Sequence, residues 1–249
     1  MKVNTDGVLL AAWTNLEYIA EQKKQGRLLE TLDIGTGTGV IALILAQRFS
    51  QTLSAQSKTK FKITGIDIDS LSIEDARYNF KSSLWKDCLK SETISLQEHL
   101  LKHKAKYSLI ISNPPYFTNS SKAPSQRRSA ARHNDTLPLQ ILIEATSLML
   151  EDNGILSMIL PVKEGMEIIK SARNHSLFLS RLCRVKTTPA KPEKRYMLEF
   201  KKGNNITPYV EELIIHNADS TYTEHYCNLI SDYYYKDFRA GSESMPETI

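Results

Sequence analysis

The sequence predicts an α/β protein built on a mostly parallel, doubly wound sheet of seven strands that ends in an antiparallel C-terminal hairpin. Three observations predict it. Short apolar runs alternate with stretches of helical periodicity between residues 28 and 174. A Gly-rich turn, Asp33-Ile34-Gly35-Thr36-Gly37-Thr38-Gly39, joins the first apolar run to a helical stretch. Between Phe178 and Phe200, two β-rich runs, FLSRLCRVKTT and KRYMLEF, flank the turn PAKPEK.

Taken in order, residues 8–20 (VLLAAWTNLEYIA) carry apolar positions at helical spacing, so a helix precedes the first strand, LLETLDIG. Val40–Phe49 reads as a helix, FKITGIDID (61–69) as a strand, and Ser70–Leu84 as a helix capped by Asp69 or Ser70. Further strands are expected at Thr93–Leu96, Tyr107–Ser112 and Gly154–Leu160, and helices at Leu137–Leu150 and Lys163–Asn174. Beyond the hairpin, EELIIH offers an edge strand and Tyr226–Tyr235 a short helix, while Gly241–Ile249 has the composition of a frayed tail. No repeat or linker divides the chain, so residues 1–240 are expected to form one domain, with 206–240 as C-terminal additions. In such sheets ligands bind beyond the strand carboxyl ends, where the strand order reverses.

The 249 residues are 41% hydrophobic and 24% charged, and no apolar run reaches the roughly 20 residues that span a bilayer. The first residues lack the basic start and apolar core of a targeting segment, which leaves a cytoplasmic address as the expectation. Cys88, Cys183 and Cys227 are odd in number and widely spaced, as suits reduced thiols rather than a disulfide framework or a zinc site. A net charge of +4 is compatible with a polyanionic partner without implying one.

Glycines at 35, 37 and 39 let the backbone turn tightly against a ligand. Asp33 at the strand end suits a cationic amino group, as in S-adenosylmethionine, and would repel the pyrophosphate of a dinucleotide. Asp67, at the end of the following strand, can accept hydrogen bonds from both hydroxyls of an adenosine ribose, with Ile68 against the adenine. Singly, Gly35–Gly39 reads equally as a β-α turn and Asp67 as a helix cap; together they point to S-adenosylmethionine.

The strand Tyr107–Ser112 ends in Asn113-Pro114-Pro115-Tyr116-Phe117. The lone pair of a conjugated NH2 is delocalised, so that nitrogen is a poor nucleophile toward a sulfonium methyl. The side-chain oxygen of Asn113 and the carbonyl of Pro114 can accept its two N–H bonds and turn the lone pair toward the methyl. Pro114 and Pro115 stiffen that corner, and Tyr116 offers a flat stacking face. No general base is needed, because the product ammonium is itself strongly acidic.

At these residues the chain resembles the Rossmann-like class I methyltransferases that modify exocyclic or amide nitrogens through an Asn-Pro-Pro-Tyr motif. Within them it is most similar to the bacterial tRNA1(Val) adenine-37 N6-methyltransferases. The resemblance spans roughly residues 1–200 and rests on Met1–Leu10, the Asp33–Gly39 loop, Asn113–Tyr116 and Ala131-Arg132-His133. It implies that residues 1–25 cover the cofactor, with Lys2, Thr5 and Asp6 helping to enclose it. It also implies that Asn113, Pro114 and Tyr116 hold an adenine, and that Asn113 lies against the cofactor as well. Two departures stand out. Members usually carry a short aromatic-containing stretch before the segment at which this chain begins, so its natural start is expected upstream. After the third strand comes Ser95-Leu96-Gln97, with no carboxylate for the cofactor adenine, which leaves Gln97 or backbone to make that contact.

Between Ser120 and Asn134 lie Lys122, Arg127, Arg128, Arg132 and His133 with no acidic residue, where phosphates flanking an extruded base would pass. Lys186, Lys191, Lys194 and Arg195 extend this surface across the hairpin. The bland alternative is a solvated charged loop. His99 and His103 share a helical face but have no third ligand in sequence reach, so they are expected as surface histidines and no metal is expected. Tyr233–Tyr235 can stack on RNA or anchor the tail to the core. The leading expectation is a monomeric enzyme methylating adenine N6 in tRNA. The alternatives are methylation of a protein glutamine side chain and a non-catalytic RNA-binding relic of the fold.

Overall fold

The computed structural model describes residues 5–22, 27–53, 60–115, 138–204 and 206–234. Eight strands form one sheet: β1 (Leu28–Ile34), β2 (Lys60–Asp67), β3 (Leu89–Thr93), β4 (Tyr107–Ser112), β5 (Leu150–Pro161), β6 (Leu177–Lys186), β7 (Glu193–Lys202) and β8 (Tyr209–Ile214). Their order is β3-β2-β1-β4-β5-β7-β6-β8. β7 runs antiparallel to both β5 and β6, and all other pairings are parallel. The Rossmann-like architecture with its C-terminal hairpin is as the sequence predicts, but there are eight strands rather than seven. The additional one is the EELIIH segment, pairing through Tyr209–Ile214 with the outer side of β6.

All six residues of β4 are buried, as expected for a strand covered on both faces. Alternate residues of β5 feed the two cores: Ile155 and Ile159 face one, and Leu156, Met158 and Leu160 the other. The first core is completed by α1 (Thr5–Trp13), α3 (Val40–Thr52), α4 (Ser70–Ser82) and α8 (Glu224–Ile230), the second by α5 (Leu96–Lys102), α6 (Leu139–Met149) and α7 (Val162–Ser171). The sheet order reverses between β1 and β4, so the crevice above their carboxyl ends is where such a sheet receives ligands.

Three expected boundaries shift. The helix foreseen over residues 8–20 is two helices, α1 and α2 (Leu16–Gln22), because Asn15 Oδ1 accepts the Tyr18 backbone N–H and starts a new helix. Arg48 from α3 donates to the carbonyls of Ala11 and Thr14 and satisfies the end of α1. The third strand is Leu89–Thr93, not Thr93–Leu96. Ser95 and Glu98 form a reciprocal capping box there, which starts α5 where the strand had been expected. Asp69 caps α4 as predicted, accepting from the backbone of Leu71 and Ser72. The helix foreseen from Tyr226 falls into α8 and a short 3-10 turn at Ser231–Tyr233, Tyr233 and Tyr234 pack on the first core, and Tyr235 lies outside the described residues. Among the described residues no helix is long and apolar enough to cross a membrane.

Candidate active site

The crevice is assembled by register. Ile34 pairs with Ile66 on one side and Ser112 on the other, so the turns after β1, β2 and β4 emerge together. The Ser112 hydroxyl donates to the Ile34 carbonyl at 2.9 Å, fixing the exit of β4 against that of β1. The backbone N–H groups of Gly35 and Thr36 both donate to the Ile66 carbonyl. The Gly37 N–H donates to Asp67 Oδ2 at 3.0 Å, and the other Asp67 oxygen accepts the Asp69 N–H.

Gly35, Gly37 and Gly39 take φ of 72°, 55° and 84°, in the left-handed region that a side chain disfavours. Gly39 immediately precedes α3, and a β-carbon there would lie 2.4 Å from the Phe80 ring. Asp33 is fully buried, and one of its oxygens accepts the Thr36 hydroxyl at 2.6 Å. Its other oxygen has no hydrogen-bond partner among the described residues. Burial pushes the Asp33 carboxyl up to about 7 and the nearby Asp67 charge adds to this, while the Thr36 hydroxyl and the nearby Ala42 backbone N–H oppose it.

Asn113 leaves β4 half-buried, and its side-chain oxygen is buried without a partner among the described residues. Pro114 is buried and Pro115 exposed. Burying an amide oxygen unpaired costs about 1–3 kcal/mol, and a carboxylate oxygen at least as much, and both of these atoms lie at the ends of the strands that flank the crevice. Helix α1 lies alongside: a β-carbon on Gly7 would stand 3.7 Å from the Asn113 amide nitrogen and 3.4 Å from Ile41.

The helix is held from both ends. Asp6 Oδ2 accepts from Arg195 Nε at 3.0 Å, and the Thr5 side chain is hydrogen-bonded to Tyr234. At the far end, Trp13 donates to Glu211 at 2.7 Å beneath the Arg181 guanidinium, which also pairs with buried Glu199. Thr14 bonds to Ser157 of β5, and the Asn15 N–H to Glu199.

The predicted residues Asp33, Gly35, Thr36, Gly37, Gly39, Asp67 and Asn113 are thus brought together. Ile68 is 51% exposed beside Asp67, an apolar side chain at the rim. Gln97 lies on an exposed face of α5. Arg195 is engaged by Asp6 rather than presented with Lys191 and Lys194, which are exposed, and Lys186 is paired with Glu212. Lys2, Tyr116, Lys122, Arg127, Arg128, Arg132 and His133 lie outside the described residues.

Gly65 was missed by sequence reasoning. The Thr36 side chain occupies the space above it, and a β-carbon there would meet Thr36 Oγ1 at 2.6 Å. A glycine inside an otherwise apolar strand is itself a sign of such close approach. Arg48, whose two bonds fix the end of α1, carried no sequence signal because its partners lie more than thirty positions away.

The methyltransferase-domain family matches residues 26–212 of this chain. A tRNA1(Val) (adenine(37)-N6)-methyltransferase of Flavobacterium psychrophilum is 37% identical over 236 residues, covering 95% of this chain and 93% of the relative. A protein of the same description from Trichodesmium erythraeum is 39% identical, covering 95% and 92%. Among solved structures, a predicted O-methyltransferase of Agrobacterium tumefaciens superposes with a TM-score of 0.64 at 17% identity, covering 91% of this chain and 96% of that one, which speaks for the fold. On these similarities the chain belongs to the methyltransferase family and, within it, to the group formed by the tRNA1(Val) (adenine(37)-N6)-methyltransferases.

Proposed function

We propose that this chain transfers a methyl group from S-adenosylmethionine to the exocyclic N6 of adenine 37 in tRNA1(Val), acting on RNA in the cytoplasm. The observation that carries the reading is the buried oxygen of Asn113 at the exit of β4, without a hydrogen-bond partner among the described residues and next to the Asp33–Gly39 turn. The names of the relatives supply the nucleotide.

The crevice fits the cofactor's chemistry. Asp33 offers a carboxylate oxygen, Oδ1, that accepts no hydrogen bond within bonding geometry among the described residues and suits a cationic amino group. Gly35, Gly37 and Gly39 let the backbone of the turn approach the cofactor closely, Asp67 accepts ribose hydroxyls, and Ile68 gives the adenine an apolar face. Thr5 and Asp6 close the crevice from α1, and Lys2, which lies outside the described residues, joins them in this reading. When bound, S-adenosylmethionine supplies an electrophilic sulfonium methyl.

The chain's own task is to make a weak nucleophile attack. Asn113 Oδ1 and the Pro114 carbonyl accept the two N–H bonds of the adenine amine, which draws that nitrogen out of conjugation and aims its lone pair. The arrangement is rigid, because Ser112 ties the strand exit to β1 and proline fixes the backbone after it. Tyr116 stacks on the extruded base, and Lys122, Arg127, Arg128, Arg132, His133, Lys191 and Lys194 meet flanking phosphates.

Incubation with labelled S-adenosylmethionine and either unmodified tRNA or a peptide-release factor, followed by digestion and mass analysis, tests this. Label is expected as N6-methyladenine in tRNA. Label in a protein glutamine and not in RNA would overturn the reading in favour of carboxamide methylation.

A further inference from the structure

His99 and His103 were expected as surface residues without a third ligand. His99 is instead buried, at 1% exposure, and Glu92 of β3 lies beside both. The ligand atoms of Glu92, His99 and His103 all fall within 4.8 Å of one another. The two imidazole rings stack with centroids 4.3 Å apart, and His103 Nε2 stands 3.4 Å from Glu92 Oε2. All three side chains line a small cavity beside Tyr107 and Lys90, on the flank of the sheet covered by α5.

A second observation points to a ligand. His99 Nε2 is 2.7 Å from the Tyr107 hydroxyl, and its Nδ1 is buried with no hydrogen-bond partner among the described residues. In one tautomer Nε2–H donates to Tyr107 and Nδ1 presents a lone pair; in the other, a buried N–H is left unsatisfied at Nδ1. Metal-binding histidines characteristically donate their second ring nitrogen to a fixed oxygen, which orients the ring and leaves the first as ligand.

We propose that Glu92, His99 and His103 form a binding site for a divalent transition metal of the zinc class. Two imidazoles and a carboxylate are a borderline donor set that Zn2+, Co2+ and Ni2+ accept, with a fourth position open to water. A tetrahedral ion holds its ligand atoms roughly 3.4 Å apart. Binding therefore requires a rotamer adjustment of His103, whose side chain is 37% exposed. Lys90 Nζ lies 2.6 Å from the other Glu92 oxygen and opposes a cation, but its side chain is 54% exposed and can withdraw into solvent. The cavity is lined by Glu30 and Thr31 of β1, Lys62 and Thr64 of β2 and Tyr107 at the start of β4, and by none of the residues of the Asp33–Gly39 turn or the Asn113 corner. The ion would clamp α5 to the edge strand β3 and take no part in catalysis.

The test uses protein without a histidine tag, stripped with chelator and titrated with CoCl2. One equivalent is expected to bind with a visible ligand-field absorption band, displaced by ZnCl2. His103→Ala and Glu92→Gln should each weaken binding at least tenfold, and Tyr107→Phe about 10–100-fold by releasing the His99 ring. Zn2+ should raise the thermal midpoint of the wild type and not that of His103→Ala. Absence of a stoichiometric band in the wild type, or unchanged affinity in both His103→Ala and Glu92→Gln, overturns the proposal.

Discussion

Arg195 of β7 donates its Nε to Asp6 Oδ2 at 3.0 Å, bridging the first turn of α1 to the C-terminal hairpin 189 positions away. Both side chains are mostly buried, at 19% and 22% exposure, so the pair is screened less than a surface bridge. It holds α1, and with it Gly7, against Asn113. Arg195→Ala is expected to raise the dissociation constant for S-adenosylmethionine roughly three- to tenfold while changing turnover at saturation less. The exchanged pair Asp6→Arg with Arg195→Asp should recover part of that loss. Calorimetric titration checks both, and unchanged affinity in Arg195→Ala would remove the latch from the account.

Asp33 is expected to make the stability of the apo protein and its affinity for S-adenosylmethionine respond to pH in opposite directions. Its carboxyl is raised from 3.8 to about 7 by burial, so the unfolded chain binds fewer protons between those values. Its contribution to stability is therefore complete below about pH 4 and lost as pH rises to about 7. A cationic ligand favours the ionised form, so affinity should increase as pH rises to about 7. From pH 7 to pH 6 affinity should fall roughly fivefold, with Asp33→Asn flattening both trends. A pH-independent dissociation constant in the wild type contradicts this role.

Gly65→Ala tests the support beneath the loop. The added methyl would collide with Thr36, at 2.6 Å from its hydroxyl and 2.9 Å from its carbons, and displace the hydroxyl from Asp33. A loss of about 1–3 kcal/mol in unfolding free energy is expected, with weakened cofactor binding. Denaturant titration and calorimetry measure the two; a wild-type value for both would mean that the loop relaxes freely.

Charge reversal at Arg127 and Arg128 addresses RNA binding. The apparent KM for tRNA should rise and its dependence on salt should flatten, because fewer counterions are released on binding. An unaffected KM across a salt series would return this segment to a solvated charged loop.

Legibility in the sequence followed the range of the forces involved. The Gly-rich turn, the Asp69 cap and the exit of β4 at Asn113 were readable because each depends on neighbouring backbone. β3 was misplaced because LKSET is a polar edge strand with no apolar alternation, although Ser95 and Glu98 carried a capping-box signal. The break in residues 8–20 carried a local signal in the Asn15 cap that the apolar periodicity masked, and it is fixed by distant Arg48 and Glu199; the burial of His99 depends on Tyr107. The Arg195 partner could not be read either, since a guanidinium on a hairpin looks the same whether it faces phosphate or an aspartate from the opposite end of the chain.

The central claim is that the side-chain oxygen of Asn113 acts in the chemical step. Asn113→Ala, assayed for methyl transfer to tRNA1(Val) alongside calorimetric binding of S-adenosylmethionine, tests it most directly. Turnover should fall by about two orders of magnitude or more with cofactor affinity nearly intact. Turnover equal to wild type, with N6-methyladenine still formed, would contradict it.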